Sequence, residues 1–176
     1  HTDPVGLLLS HRADWAIVSE VEQNDDVLFK PLFSYEMVGI CSKDHPLANK
    51  EVWQAEDFAE ETWVTYPVPD DMLDLYRQVL KPKGINPPRR TTELTIALIQ
   101  LVASRRGIAT VPYWAALPYL EKGYVVARKI TEEGLYSNLY AAIRKEDANL
   151  AYIEDFHQTV KAQSFSTLPG LSVLEL

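Results

Sequence analysis

Hydroxyl-bearing residues collect in front of the most apolar helix that the sequence predicts. In residues 91–114 (TTELTIALIQLVASRRGIATVPYW), Thr91, Thr92 and Thr95 precede or open a helical segment, and a short apolar strand follows it. A helix N-terminus carries about half a positive charge and exposes N–H groups that no helical carbonyl accepts from. Such an end suits a carboxylate or another small anion. We therefore predict an anion-binding site here, with Thr95 as its best single candidate.

Thr95 also has an alternative role that the sequence leaves open. A hydroxyl in the first turn of a helix can cap that helix or bond back to one of its own carbonyls. A second helix N-terminus is predicted near Thr2, Asp3 and Pro4, where the Asp offers a capping oxygen and the Pro fits the first helical position. The sequence thus offers two candidate anion sites.

Motifs for catalysis, metal binding and cofactor binding are not found in the 176 residues. The sequence has no GxSxG, GxGxxG, Walker, CxxC or HExxH pattern, and its four histidines are not at metal-ligand spacing. Cys41 is the single cysteine, which excludes a disulfide framework. The formal charge of −8, with no long run of Lys and Arg, argues against a nucleic-acid surface on these residues. We predict no catalytic residue, no metal and no cofactor.

Apolar periodicity places the candidate residues on an α/β scaffold. Strands alternate with helices along the chain, which is typical of an α/β domain with a largely parallel sheet. Pro67 and Pro69, with a return strand near Tyr140, mark the places where the chain is predicted to cross between two lobes. A cleft between such lobes, at the carboxyl ends of the strands, is a common ligand site.

The element boundaries are predicted from capping residues and breakers. Asp70 is expected to cap one helix, and Gly107 is expected to follow the end of another as its C′ residue. The predicted helices cover residues 5–10, 70–81, 93–106, 114–122 and 152–164. The predicted strands cover residues 14–19, 63–66, 108–111, 124–128 and 139–144, with two more in residues 27–42 divided by a turn at Ser34.

Three motifs, in this order along the chain, resemble the effector-binding domain of LysR-type transcriptional regulators. They are residues 11–18 (HRADWAIV), which match a strand of the form GxLDLAI, residues 44–48 (DHPLA), which lie between a strand and a short helix, and residues 91–114. The resemblance covers residues 3–168, nearly the whole chain. It implies a two-lobed fold of type II, similar to that of periplasmic solute-binding proteins.

The resemblance also implies a domain organisation. Residues 1–65 and 144–168 would form lobe I, residues 66–143 lobe II, and residues 169–176 a C-terminal tail. A domain of this family begins with a strand, a helix and another strand before the point where this chain starts, so we expect the start of lobe I to be truncated. No initial Met is present, and we expect the chain to be part of a longer protein with a winged helix-turn-helix upstream.

The function that the family implies is sensing of a small-molecule effector between the lobes, without catalysis. DNA would be bound only through the N-terminal domain that this chain lacks. The family further implies a homodimer or homotetramer in the cytoplasm, with no membrane contact. Within the family, four segments most resemble regulators of methionine biosynthesis, which implies homocysteine as co-inducer: residues 65–67, 98–103, 112–114 and 134–142.

An amino-acid effector needs partners for its carboxylate and for its ammonium in one cleft. Glu20 and Glu93 are candidates for the ammonium, although a solvated acidic side chain is the simpler interpretation of each. Tyr66 and Tyr113 are predicted to line the cleft, although aromatic residues on such strands also pack as core. Ser137 is a weaker candidate. The predicted ligand-binding residues are Ser19, Thr65, Tyr66, Thr95, Pro112 and Tyr113.

Two other classes of function stay open at this point. A solute-binding protein of a transport system has the same two-lobed fold and would carry a signal sequence upstream. A small α/β enzyme is the third class, although the sequence offers no motif for it.

Overall fold

Two long strands, β2 (Val27–Cys41) and β8 (Leu135–Arg144), organise the chain in a computed structural model that describes residues 3–175. Each of them passes from one compact unit of the chain into another. The first unit takes the chain as far as Tyr35 and again from Ser137 onward, and the second unit is Glu36–Tyr136. Helices and strands are mixed in both, which confirms the predicted α/β class. The predicted lobe boundaries at residues 65 and 143 stay a prediction.

In the described residues, the first unit contains two α-helices, two short strands and parts of β2 and β8. Its strands pair in antiparallel fashion: Ala16 of β1 is opposite Ala142 of β8, and Ser34 of β2 is opposite Ser172 of β9. A small core of Val5, Leu8, Val18, Val27 and Ala142 lies under α1. Besides the parts of β2 and β8, the elements are α1 (Pro4–Leu9), β1 (Ala16–Val18), α4 (Ala151–Thr167) and β9 (Leu171–Ser172).

The second unit contains five short strands, parts of β2 and β8, two α-helices and several short 3-10 and π segments. Its elements are β3 (Val52–Trp53), β4 (Trp63–Thr65), β5 (Arg89–Thr91), α2 (Thr95–Ala103), β6 (Ala109–Pro112), α3 (Tyr113–Glu121) and β7 (Val126–Ile130). One core cluster includes Trp53, Phe58, Trp63, Leu80 and Ile130. A second cluster packs α2 against the strands through Val64, Leu98, Ile99, Val102 and Val111.

The prediction of a largely parallel sheet is wrong, because the described pairings of β1, β2, β8 and β9 are antiparallel. Gly39 of β2 is opposite Thr110 of β6 and Arg128 of β7, and both pairings are antiparallel. Other strand pairs of the second unit are parallel, as predicted: β3 pairs with β7 and β4 pairs with β5. Alternation of strands and helices predicts such crossovers. It does not reveal that an earlier strand enters between β6 and β7 in the opposite direction.

The predicted turn at Ser34 is also wrong, because β2 is continuous from Val27 to Cys41. The Ser34 hydroxyl donates to the carbonyl of Ser137 at 3.3 Å, and the Ser34 backbone pairs with β9. A serine that finds partners on both neighbours has no need of a turn to satisfy its polar groups. The strand β9 falls within residues 169–176, which the sequence predicted as a tail.

The predicted helix 70–81 is broken into short pieces. A 3-10 turn at Asp70–Met72 ends where Leu73 adopts an extended backbone, and a π-helix follows at Tyr76–Leu80. Leu75 and Leu80 are buried as the spacing predicts, but Met72 is 57% exposed because the break separates it from that face. Asp70 does not cap the helix; its carboxylate accepts from Arg89 at 3.2 Å.

Gly107 is not the C′ residue of α2, contrary to the prediction. The helix ends at Ala103, and Arg105 takes the left-handed conformation with φ 60°. Gly107 is required by a close approach instead, since a Cβ there would lie 2.3 Å from the carbonyl oxygen of Thr62. This contact lets Ile108 donate to the same carbonyl at 2.9 Å and start β6 beside β4.

Candidate functional site

Three strands of the second unit direct their carboxyl ends to one edge. Thr65 of β4 is opposite Thr91 of β5 in a parallel register, and a parallel bridge joins Trp63 to Ile108 at the entry to β6. The carboxyl ends of parallel strands meet at the same edge of a sheet, where the following helices begin. This edge therefore gathers Tyr66, the start of α2 and the start of α3.

Tyr66 and Thr95 meet at this edge through a hydrogen bond. The phenolic oxygen of Tyr66 lies 2.7 Å from Oγ1 of Thr95, and both residues are only partly buried. The Tyr66 ring packs against the cluster that contains Leu98 and Ile99. Two hydroxyl groups are thus fixed in position at the first residue of α2, where they can also bond to a third group.

The first turn of α2 lacks a side-chain cap. Leu94 occupies the N-cap position and its side chain has no hydrogen-bonding group, so the predicted polar cap is absent from this position. The N–H groups of Thr95, Ile96 and Ala97 have no carbonyl partner within the helix. Among residues 3–175, the side-chain hydrogen bond of Thr95 goes to Tyr66 and not to its own helix. The alternative of a self-capping or back-bonding Thr95 is therefore not what the geometry shows.

A second uncapped helix begins at the same edge. Pro112, the last residue of β6, is the N-cap residue of α3, and no side chain caps this helix. Tyr113 is the first residue of α3 and packs, partly buried, against the same cluster as Tyr66. The structure thus brings together four of the predicted residues: Tyr66, Thr95, Pro112 and Tyr113.

Thr65 lies next to this group but faces another way. Its backbone carbonyl accepts from the N–H of Thr92 at 3.0 Å, and the residue is 4% exposed. Side chains alternate along a strand, and Val64 faces the cluster of α2. Thr65 shares the opposite face with Trp63, which belongs to the other core cluster. A role of Thr65 in ligand binding stays a prediction.

The other predicted residues belong to the first unit or point into solvent. Ser19 follows β1 directly and is exposed, and Ser137 lies buried in β8. Glu20 and Glu93, the candidates for an ammonium, are exposed. Thr2 lies outside the described residues.

The helix start near Asp3 is not open to an anion. The carboxylate of Asp3 itself accepts from the N–H of Gly6 at 2.8 Å. This contact is the capping role that the sequence predicted for Asp3.

Arg144 is a buried charged residue that sequence reasoning missed. Its side chain is 7% exposed, and its guanidinium donates to the carbonyls of Leu8 at 2.9 Å and Ala13 at 2.5 Å and to the carboxylates of Asp14 at 2.7 Å and Asp147 at 2.5 Å. These hydrogen bonds engage four of the five N–H groups of the guanidinium, and Nη2 also forms an ion pair with Asp147 at 2.5 Å. A pocket of about 190 Å³ next to it is lined by Leu9, His11, Asp26, Arg144, Lys145 and Glu146. Because its partners are the carbonyls of Leu8 and Ala13 and the carboxylates of Asp14 and Asp147, Arg144 holds the loop after α1 in place.

The single cysteine is buried and carries no reactive thiolate. Burial raises the pKa of the Cys41 thiol to about 11, which makes it a poor nucleophile at neutral pH. Within the described part of the chain, no three His, Cys, Asp or Glu side chains are grouped as metal ligands. In the same range, no helix is both long and apolar enough to cross a membrane.

Comparisons with known proteins identify the family of the chain. The family described as the LysR substrate binding domain matches residues 1–164. The chain is 85% identical to the transcriptional regulator MetR of Haemophilus influenzae over 100% of this chain and 57% of that protein. It is 35% identical to MetR of Escherichia coli K12 over 98% of this chain and 54% of that protein. The chain thus spans little more than half the length of these curated relatives.

A solved structure is also similar to this chain. The regulatory domain of MetR from N. meningitidis, a LysR family regulator, superposes with a TM-score of 0.91 at 66% identity, over 98% of this chain and 80% of that one. These relatives are named as regulators and not as enzymes.

Proposed function

Because the chain belongs to the LysR substrate binding domain family, we propose that it is the effector-sensing part of a transcriptional regulator of methionine biosynthesis. The observation that carries the proposal is the hydroxyl pair of Tyr66 and Thr95 at the uncapped start of α2. The effector is a small amino acid with a carboxylate, and homocysteine is the candidate. Ser19, Thr65, Pro112 and Tyr113 complete the proposed binding residues.

The chemistry of the edge suits a carboxylate. Free N–H groups in the first turn of α2 donate to the anion, and the helix dipole favours a negative charge there. The hydroxyls of Thr95 and Tyr66 have one proton each; one holds the bond between them and the other is free to donate to a ligand oxygen. A hydrogen bond to a charged group contributes about 1.5–3 kcal/mol. Glu93, two residues before α2, is the nearer candidate in sequence for the ammonium.

The wider function rests on the longer proteins that this chain matches. We propose that effector binding biases the protein between two states and that an upstream DNA-binding domain reads out the change. A homodimer or homotetramer in the cytoplasm is part of the same proposal. Relatives named as transcriptional regulators favour this function over a transport protein.

Calorimetric titration of the intact protein tests the effector. Homocysteine is expected to bind with a measurable heat, and methionine, cysteine and other amino acids serve as the comparison set. Binding of a different sulfur metabolite would keep the sensing function and remove homocysteine. If none of these compounds binds, the amino-acid effector is wrong.

Thr95→Val tests the hydroxyl pair directly. We expect this variant to bind the effector roughly tenfold more weakly, since one hydrogen bond to a charged group is lost. Its free energy of unfolding should stay within about 1 kcal/mol of the parent value. Tyr66→Phe removes the other hydroxyl. Isothermal titration and thermal unfolding of both single variants and of the double variant form a double-mutant cycle, which gives the coupling energy between the two hydroxyls.

Thr159→Val is the matched control, because Thr159 is an exposed residue of α4. It is expected to leave affinity unchanged. A loss of stability in Thr95→Val with unchanged affinity would show that the pair only holds α2 to β4.

A further inference from the structure

The C-terminal helix α4 is attached to the first unit by few buried side chains. It covers 17 residues, of which Ile153 and His157 are buried. Tyr152 and Phe156 are 59% and 49% exposed. A helix of this length normally buries a continuous apolar stripe. At the surface, Phe156 contacts the edge of Trp15 and Phe165 contacts Phe33, with ring centroids 5.2 and 6.2 Å apart. Ile153 and His157 supply the buried contacts of α4, and the imidazole is the one of these two that can titrate.

The surroundings of His157 suit a neutral ring. The residue is 3% exposed, and its ring centroid lies 6.4 Å from that of Trp15. Nδ1 of His157 and Nε1 of Trp15 are both buried, and neither has a hydrogen-bond partner within residues 3–175. The indole nitrogen is only a donor, and an imidazolium would add a second unmatched donor at Nδ1. Protonation of His157 is therefore costly in this position.

Charged groups reach His157 from β2 and from α4 itself. Lys30 of β2 pairs with Glu154 of α4 at 2.5 Å. Glu154 precedes His157 by three residues and Lys161 follows it by four, so both lie on its side of the helix. The Glu154 carboxylate also accepts from Gln158 at 2.7 Å. A protonated His157 would face the ammonium groups of Lys30 and Lys161. The Glu154 carboxylate near it already accepts from Lys30 and Gln158.

The segment that carries Trp15 adds no free counter-charge. Asp14 is its neighbouring acidic residue, and Arg144 donates to the Asp14 carboxylate at 2.7 Å. Burial first, and then the charge of Lys30, lower the pKa of His157 from its usual value of about 6.5.

The direction of the pH effect follows from this shift. An undocked helix would expose His157 and restore its usual pKa, so the undocked state binds the proton more readily. The docking free energy is fully present above about pH 6.5 and is lost as the pH falls through the lowered pKa of the docked state.

We propose that His157 is a proton-sensitive anchor for α4. The neutral imidazole fills the space beside Trp15 and holds the helix on the first unit. When the imidazole is protonated, it leaves this space, and α4, which carries Tyr152 and Phe156, detaches from the rest of the first unit. This would make the attachment of the C-terminal helix respond to mild acid, independently of any effector.

Hydrogen exchange of the intact chain between pH 7.5 and 5.0 tests the anchor. After correction for the intrinsic rate, protection of the α4 amides is expected to fall by up to about tenfold per pH unit below about pH 6.5. Amides of β8 in the same unit should keep their protection. Unchanged protection of α4 down to pH 5.0 would overturn the proposal.

His157→Phe assigns the effect to this side chain. The variant should keep α4 protected at pH 5.0, because a phenyl ring fills the space without titrating. His11→Asn is the control: His11 is 67% exposed in its side chain and has φ 56°, which Asn tolerates, so this variant should follow the parent. Loss of protection in His157→Phe over the same pH range as in the parent contradicts the proposal.

A nuclear magnetic resonance titration of the parent protein covers the case in which His157→Phe does not fold. The imidazole resonances of His157 should titrate with a midpoint below pH 6.5, and the protection of α4 should fall between about pH 6.5 and that midpoint. Titration of the ring while α4 remains protected would equally overturn the proposal.

Discussion

Leu98→Ala is expected to lower the free energy of unfolding by about 2–5 kcal/mol, because it removes buried methyl groups and leaves a cavity. Leu98 is 0% exposed and lies in the cluster that joins α2 to Val64 and Val111. Its neighbour Ile99 is also 0% exposed, and Ile99→Ala should have an effect of similar size. Chemical denaturation monitored by circular dichroism measures both.

Ile96→Ala is the control on the same helix. Ile96 is 57% exposed, so the loss of its side chain should change the free energy of unfolding by no more than about 0.5 kcal/mol. Equal effects of Leu98→Ala and Ile96→Ala would mean that α2 is not packed as described.

Arg144→Met is expected to cost about 3–5 kcal/mol, which is typical of breaking a buried ion pair from one side. The Arg144 side chain is 7% exposed and that of Asp147 is 18% exposed. Methionine would leave the Asp147 carboxylate unpaired and the carbonyls of Leu8 and Ala13 without this donor. Equilibrium unfolding in urea, with hydrogen exchange at the amides of α1, measures the loss and locates it.

Two variants show whether the effect comes from burial. Arg144→Lys keeps the charge but loses the planar fork of donors, and it should recover only part of the stability. Lys81→Met breaks the ion pair between Lys81 and Asp71, whose side chains are 56% and 71% exposed, and it should destabilise the protein far less than Arg144→Met does. A small effect of Arg144→Met, similar to that of Lys81→Met, would contradict the structural role of Arg144.

Local patterns in the sequence were sufficient for the family, the fold class and part of the candidate site. The family assignment from residues 11–18, 44–48 and 91–114 is confirmed by the match over residues 1–164. Thr95 and Tyr66 were both predicted, because a helix start and a strand end are each visible in a short window. That the two hydroxyls bond to each other was not predictable, since 29 residues separate them.

Interactions between distant parts of the chain account for the errors. Arg144 is separated from Asp14 by 130 residues, and no local pattern distinguishes it from an arginine at a strand end in solvent. The turn predicted at Ser34 failed for the same reason, because its partners Ser137 and Ser172 lie at the other end of the chain. The prediction that Gly107 ends the helix failed likewise, because this glycine is required by the Thr62 carbonyl, which lies 45 residues earlier in the chain.

The division of the first unit between both ends of the chain has a consequence for biosynthesis. Residues up to Tyr35 leave the ribosome before the whole of Glu36–Tyr136, and their partners from Ser137 onward leave after it. At typical rates of translation, the early segment waits on the order of ten seconds for those partners. The second unit is contiguous and can fold during that interval. Val18 and Val27, which end up buried, are meanwhile exposed on a nascent chain and are natural targets for chaperones.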